Sequence, residues 1–433
     1  MKKRILALLM AMVMVISLLP LTAQAGELDN GLVYQVYEDH VTITSYKGDE
    51  GKLVIPEKIE GKPVTIIHPS AFQFVSLTSL TVPGTVSIIY NSNFTGSHIE
   101  NLILSEGVAS ISQGAFSYSN ISSIYLPSSI INIYSDAFYK SSSLTEILVS
   151  ADNPYFTSCD GVLYNKSMTT ISAVPCAKSG TLTIPATVTR IANNNLEYCT
   201  VLSDYYVEEG NMQFASLDGI LYSNDMTHLL RCPIPREAVI IPNGVTTIGN
   251  DPSGYYNNAT AFDNCVNLTS ITFGPDVSSI GQYSFEGCSS LSNINVSSDN
   301  TFFTSSDNIL YTKDMSTLVF CPMSREGHFR IPAEVTAIGE YAFDNCLLLN
   351  SVTFPGNINS IGACAFYHCN DLETVYFEGN APKFGKDAFA KQYYNGDNDV
   401  LTAYYPSGDP TWTDDVMQNY GNQITWAPYN PNN

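Results

Sequence analysis

The sequence predicts a β-dominated solenoid built from short coils stacked on one another, and three observations carry that expectation. One phrase is written twice: RIPAEVTAIGEYAFDNC (330–346) is followed 23 residues on by TFPGNINSIGACAFYHC (353–369), with Ile-Gly, Ala-Phe and a closing Cys in matching places. Phenylalanines recur at a fixed step: Phe72, Phe94, Phe116 and Phe138 lie 22 residues apart, and Phe262/Phe285 and Phe343/Phe366/Phe389 lie 23 apart. Between them, short stretches alternate apolar and polar, as in Leu80-Thr81-Val82, the pattern of a strand with one buried face.

Residues 1–25 read as a secretory signal: Lys2, Lys3 and Arg4, then an apolar run, then Ala23-Gln24-Ala25 as a small-x-small cleavage site. Gly26 rather than Cys follows, so no lipid anchor is expected, and neither a second spanning run nor a sorting signal of the LPxTG type is found. The mature chain is expected to be secreted or held at the cell surface, with no membrane insertion after the signal is removed. Loss of the three basic residues takes the formal charge from −22 to −25. Such a chain repels nucleic acid and anionic lipid, so neither is expected as a partner.

Residues 26–76 are assigned to N-terminal capping coils and 77–390 to the solenoid. Within each coil an alternating stretch comes first, as in LTSLTVP (77–83), ISSIYLP (121–127) and LETVYFEG (372–379). A second apolar piece follows, such as VTTIG, VSSIG or VTAIG, and then Ala-Phe or Ser-Phe and a turn. A unit of this length cannot bury its apolar face alone, but stacked units can. The repeat Phe is expected to fill the middle of each coil.

Three units are long: Phe138 to Leu196 and Phe285 to Phe343 span 58 residues, and Leu196 to Phe262 spans 66. Each contains a related block: YFTSCDGVLYNKSMTTISAVP (155–175), QFASLDGILYSNDMTHLLRCP (213–233) and FFTSSDNILYTKDMSTLVFCP (302–322). Asp-Gly or Asp-Asn, then Leu-Tyr, a polar turn and a second apolar run form a β-hairpin signature. These inserts, near 151–185, 209–242 and 298–332, are expected on one face of the solenoid. The longest unit also holds a loop extension, DPSGYYNN (251–258). Residues 391–433 are assigned to a C-terminal cap, with Trp412 and Trp426 packed on the last coil.

A period of 22–23 residues falls in the leucine-rich range, and the chain resembles the BspA-type leucine-rich repeat family. LVIPEKIEGKPVTIIHPSAF (53–72) resembles that family's opening coil, the DGVLY-type blocks its long repeats, and YYPSGDPTWTDDVMQNYGNQITWAPY (404–429) a common closing segment. The resemblance implies a right-handed leucine-rich repeat solenoid on a secreted or surface protein of bacteria, used in binding and adhesion.

The catalytic patterns G-x-S-x-G, H-E-x-x-H, the P-loop and C-x-x-C do not occur in the sequence. The chain is therefore expected not to be an enzyme, and no cofactor is expected. His368 beside Cys369 and near Cys364 fits a metal site less well than it fits the repeat, in which Cys265, Cys288, Cys346 and Cys369 all fall three residues after the Phe. No metal is expected there. SSDN (297–300) and NGDND (395–399) offer clustered oxygens, but solvated turns account for them without Ca²⁺. Ten cysteines in an exported chain raise the question of disulfides. The repeat explains seven: the four above, Cys199 after Leu196, and Cys232 and Cys321 before the Pro of an insert. Stacked neighbours lie about 5 Å apart, within reach of pairing. A coil stack already has its core, however, so free thiols are expected.

In each strand the residue between the last two buried positions points outward. Down the stack that column reads Thr81, Ile103, Tyr125, Leu148, Tyr206, Thr272, Asn295, Thr353 and Tyr376. Ile103, Tyr125, Leu148, Tyr206 and Tyr376 are the candidate ligand-binding residues, because Tyr offers a flat ring with a polar tip. The β-propensity of Tyr alone also accounts for it on a strand. The reading is a non-enzymatic protein presenting a repeat surface to a protein or glycan, with host surface or matrix among the candidate partners. The alternative is a structural or self-assembling envelope component.

Overall fold

Each coil turns on two strands and a packed ring. Alternating sequences such as Ser76–Val82 (SLTSLTV) lie extended, with Leu77, Leu80 and Val82 buried. A two-residue strand such as Ile88–Ile89 follows, and then the Phe enters the space between the two strand layers. A computed structural model describes residues 24–134, 136–192, 196–249, 260–391 and 400–430 of the chain. Among these residues there is no helix. The expected signal (1–23 of it) and the DPSGYYNN and NGDND segments lie outside the described residues. The chain divides into two units, residues 1–178 with 194–198, and residues 179–193 with 199–433.

The first unit opens with Gln24–Glu27, Leu32–Val36 and Val41–Tyr46 in antiparallel order, and Val41–Tyr46 then pairs in parallel with Lys62–Ile67. A parallel sheet of long strands follows: Lys52–Val54, Ser76–Val82, His98–Leu104, Ser123–Leu126 and Glu146–Val149. The stack thus begins within the segment assigned to the cap. Ile88–Ile89, Ser110–Ile111 and Asn132–Ile133 form a second parallel sheet. Between the two, Phe72, Phe94, Phe116 and Phe138 stack face to face with centroids 5.4–5.7 Å apart. Each such ring contributes about 1.5–3 kcal/mol by burial.

The second unit repeats this plan. Its long strands form three parallel sheets: Gly180–Ile184 with Leu202–Val207; Ala238–Ile240, Ser270–Phe273 and Asn293–Val296; and Gly327–Arg330, Leu349–Phe354, Thr374–Phe377, Leu401–Pro406 and Ile424–Tyr429. The tail therefore adds two more rungs. Trp412 is buried 4.8 Å from Phe377, and Trp426 lies 5.6 Å from Trp412.

The inserts are larger than hairpins. Each is a three-stranded antiparallel meander, for example Phe303–Ser306, Ile309–Thr312 and Thr317–Phe320. In the second unit, the last meander strand pairs in parallel with the short strand of the next coil, Thr317–Phe320 with Ala337–Ile338 and His228–Arg231 with Thr247–Ile248. The Leu-Tyr pairs Leu163-Tyr164, Leu221-Tyr222 and Leu310-Tyr311 are buried in the core. Cys321 N–H donates to Ala342 O as Phe343 N–H donates to Ala365 O, and Cys232 N–H donates likewise to Ala261 O. Cys232 and Cys321 therefore stand where other coils carry Phe, and these long units each hold two coils. A basic residue pins the Asp of each meander turn: Lys178 Nζ lies 2.6 Å from Asp160 Oδ2, Arg325 Nη2 lies 2.6 Å from Asp307 Oδ2, and Arg236 Nη2 donates to Asp218 O. All three Asp residues have φ of +50°, a strained setting that the clamp holds.

The cysteine three residues after the Phe does more than fill space. Cys288 Sγ donates to Phe262 O at 3.1 Å and Cys369 Sγ to Phe343 O at 2.9 Å; in the first unit Ser141 Oγ donates to Phe116 O at 2.8 Å. Thiol and hydroxyl thus serve the same carbonyl of the preceding coil. Burial drives the Cys232 and Cys288 thiols well above their ordinary pKa and pushes Cys176 up to about 11, which suppresses the thiolate. On peptide mapping of protein alkylated after unfolding without reductant, Cys265, Cys288, Cys346 and Cys369 are each expected to carry an adduct. Alkylation of the folded protein should leave these buried residues unlabelled.

Candidate ligand-binding strand face

Several long strands end in apolar-x-apolar closed by Pro: Leu53-Val54-Ile55-Pro56, Leu80-Thr81-Val82-Pro83, Ile124-Tyr125-Leu126-Pro127, Val239-Ile240-Ile241-Pro242. Pro lacks an N–H and ends the ladder. The pleat sends the flanking residues inward and the middle one outward. In the first unit this aligns Val54, Thr81, Ile103, Tyr125 and Leu148 as cross-strand neighbours. Ile103, Tyr125 and Leu148 are 42%, 44% and 41% exposed, and Val54 is 63% exposed. A polar column, Lys52, Ser79, Asn101, Ser123 and Glu146, runs beside it in the same register. An apolar stripe with a hydrogen-bonding stripe alongside is thus open to solvent.

In the second unit Tyr206 is exposed and pairs with Thr183, and Ile240 heads the column Ile240, Thr272 and Asn295. The last column runs Arg330, Thr353, Tyr376, Tyr404 and Ala427. Here the face closes on itself. Tyr376 is half-buried, stacked on Tyr404 at 4.8 Å with Tyr429 edge-on at 6.2 Å. Thr353 is buried beside His328, and Arg330 is held by both Glu378 oxygens at 2.7 and 2.8 Å. Of the five candidates, Ile103, Tyr125 and Leu148 come together, Tyr206 stands in a separate sheet, and Tyr376 is partly covered. Val54, Ile240 and Tyr404 belong to the same columns and were not singled out. The closing Pro after Val54 and Ile240 marks both in the sequence.

The other candidate groups are occupied by the fold. The Cys369 thiol serves the Phe343 carbonyl, and the His368 ring lies 3.7 Å from Tyr367. Asn300 of the SSDN turn is buried and bonded to backbone. Among the described residues no group of three His, Cys, Asp or Glu is placed to hold a metal.

One titratable group stands out. Asp344 is 9% exposed, and burial, then the charge of Glu286, push its carboxyl up to about 7 from an ordinary 3.8. A raised carboxyl keeps its proton in the folded state while the unfolded chain releases it. Stability from this group is therefore lost as pH rises from about 4 through about 7. Asp344→Asn is expected to gain on the order of 2 kcal/mol over the wild type at pH 8 and nothing at pH 3.5. Parallel denaturant titrations at the two pH values check this.

Comparison with known families decides the lineage. The profile of the BspA type leucine-rich repeat region matches residues 65–203, 234–326 and 319–395, in six copies. The chain belongs to the BspA-type leucine-rich repeat family. The BspA-type matches leave out 204–233, which contains the second meander. Similar solved structures include the pneumococcal vaccine antigen PcpA, 21% identical, covering 93% of this chain and 98% of that one with a TM-score of 0.47. A leucine-rich cell surface protein of Faecalibacterium prausnitzii is 23% identical, covering 84% and 96% with a TM-score of 0.46. A leucine-rich repeat protein of Eubacterium ventriosum is 18% identical, covering 85% and 94% with a TM-score of 0.38. No curated protein matches. No helix of the described residues is long and apolar enough to cross a membrane.

Proposed function

We propose that this BspA-type protein is a secreted or cell-surface, non-enzymatic binding protein that presents its strand face to a protein or glycan ligand. The carrying observation is the exposed column of Ile103, Tyr125 and Leu148 beside a polar column. Large apolar side chains in a row on an open sheet keep apolar surface in water, and a ligand that covers them gains its burial. Tyr at such a position gives a ring to a sugar or an apolar patch and keeps a hydroxyl for hydrogen bonding.

An array of glycans and extracellular-matrix proteins probed with residues 26–433 tests the reading. Saturable binding to a defined glycan or protein class is expected. An array with no saturable signal, together with concentration-dependent growth of the particle in sizing chromatography, would favour self-assembly instead.

A further inference from the structure

The second unit holds a recess on its short-strand side. It encloses about 260 Å³ and is lined by Tyr283, Tyr341, Phe320, Glu286, Glu340 and Asp344, among others. The two Tyr rings meet edge to face at 5.1 Å, and the Tyr283 hydroxyl donates to that of Tyr341 at 3.1 Å, which fixes both rings. Among the described residues three carboxyl groups line the recess, and neither Lys nor Arg does. Glu286 and Glu340 are exposed, whereas Asp344 is 9% exposed and its Oδ1 has no hydrogen-bond partner among the described residues. The nearest cationic candidate to that oxygen is His368 Nδ1 at 3.9 Å, too far for a hydrogen bond.

These features select a chemistry. Aromatic faces attract a cation, and desolvation strengthens the attraction. The exposed Glu340 carboxylate in the lining favours positive charge. A buried acceptor with no partner asks for an N–H donor. An anion fails on charge, and a quaternary ammonium brings charge but no N–H. A chelated metal ion needs a closer set of oxygens than is placed here. We propose that this recess binds a primary alkylammonium group, with Asp344 accepting an N–H bond, the Tyr283 and Tyr341 rings flanking the alkyl chain, and Glu286 and Glu340 at the rim. The same group is carried by a lysine side chain of a partner polypeptide and by free alkylamines.

Isothermal titration of the mature protein with n-butylamine, tetramethylammonium, n-butanol and Nα-acetyl-lysine methylamide tests the proposal. n-Butylamine is expected to bind at least roughly tenfold more tightly than tetramethylammonium or n-butanol. Asp344→Asn and Glu340→Gln should each weaken it, the former roughly tenfold or more. Tyr125→Ala with Tyr206→Ala should leave it unchanged, because those residues belong to the strand face. Lysine derivative binding as tightly as n-butylamine points to a partner's lysine; binding of n-butylamine alone points to a free amine. Absence of n-butylamine binding, equal binding of tetramethylammonium, or full affinity in a folded Asp344→Asn protein overturns the proposal.

Discussion

Phe366→Ala is expected to destabilise the protein by about 3–5 kcal/mol. Phe366 is 1% exposed and lies between Phe343 at 4.6 Å and Phe389 at 5.2 Å, with Phe354 edge-on at 5.8 Å. Truncation removes the ring from water-free surroundings and leaves a void that two flanking coils cannot both close. Each coil touches only its neighbours, so the effect should be felt first in the coils of Phe343 and Phe389. Hydrogen exchange should rise there before it rises in the first unit. Phe366→Leu keeps most of the volume and should cost under about 1.5 kcal/mol. Urea titration monitored by Tyr and Trp fluorescence gives both values. An alanine loss below about 1 kcal/mol would mean that the ring column does not hold the coils together.

Asn300→Ala is expected to cost about 3 kcal/mol, a large effect for one small polar side chain. Asn300 is fully buried. Its Nδ2 donates to Gly274 O at 2.8 Å and Val277 O at 2.9 Å, both in the preceding coil. Its Oδ1 accepts from Phe302 N at 2.8 Å and Phe303 N at 2.7 Å, where the meander starts. All four hydrogen-bonding positions of the amide are used at once, so its removal orphans buried backbone groups on both sides. Asn153 makes the same four bonds, to Pro127, Ile130, Tyr155 and Phe156, and Asn211 makes them to Pro185, Val188, Gln213 and Phe214. Asn300→Asp keeps the acceptor, loses both donors and buries a charge, so it should be worse than Ala at neutral pH. An aspartate variant as stable as the wild type would contradict this assignment.

The coil, its alternating strand and its central ring were readable because a repeat multiplies a weak signal. Leu80-Thr81-Val82 alone says little, but the same pattern 22 residues later in Leu102-Ile103-Leu104 fixes its meaning. Two features stayed hidden for physical reasons. Cys321 replaces Phe and comes 36 residues after Phe285, so the ring column lost both its letter and its step at that coil. The burial of the meander's Leu310-Tyr311 was the second, since a local hairpin pattern does not show that a sheet will close over it. The Asn residues were invisible for the opposite reason: a single Asn in SSDN has the composition of a solvated turn, and only its burial reveals its work. On the candidate face, outward pointing followed from the pleat. The partial covering of Tyr376 did not, because it depends on the tail supplying Tyr404 and Tyr429 as further strands.

The claim on which the functional account rests is that the open strand face, and not the core that supports it, meets the ligand. The most direct measurement compares wild type with Tyr125→Ala/Leu148→Ala for affinity and for melting temperature, using a ligand selected on the array. The account predicts binding weakened roughly tenfold or more, with melting nearly unchanged. Binding and melting that fall together, or binding that does not change, would contradict it.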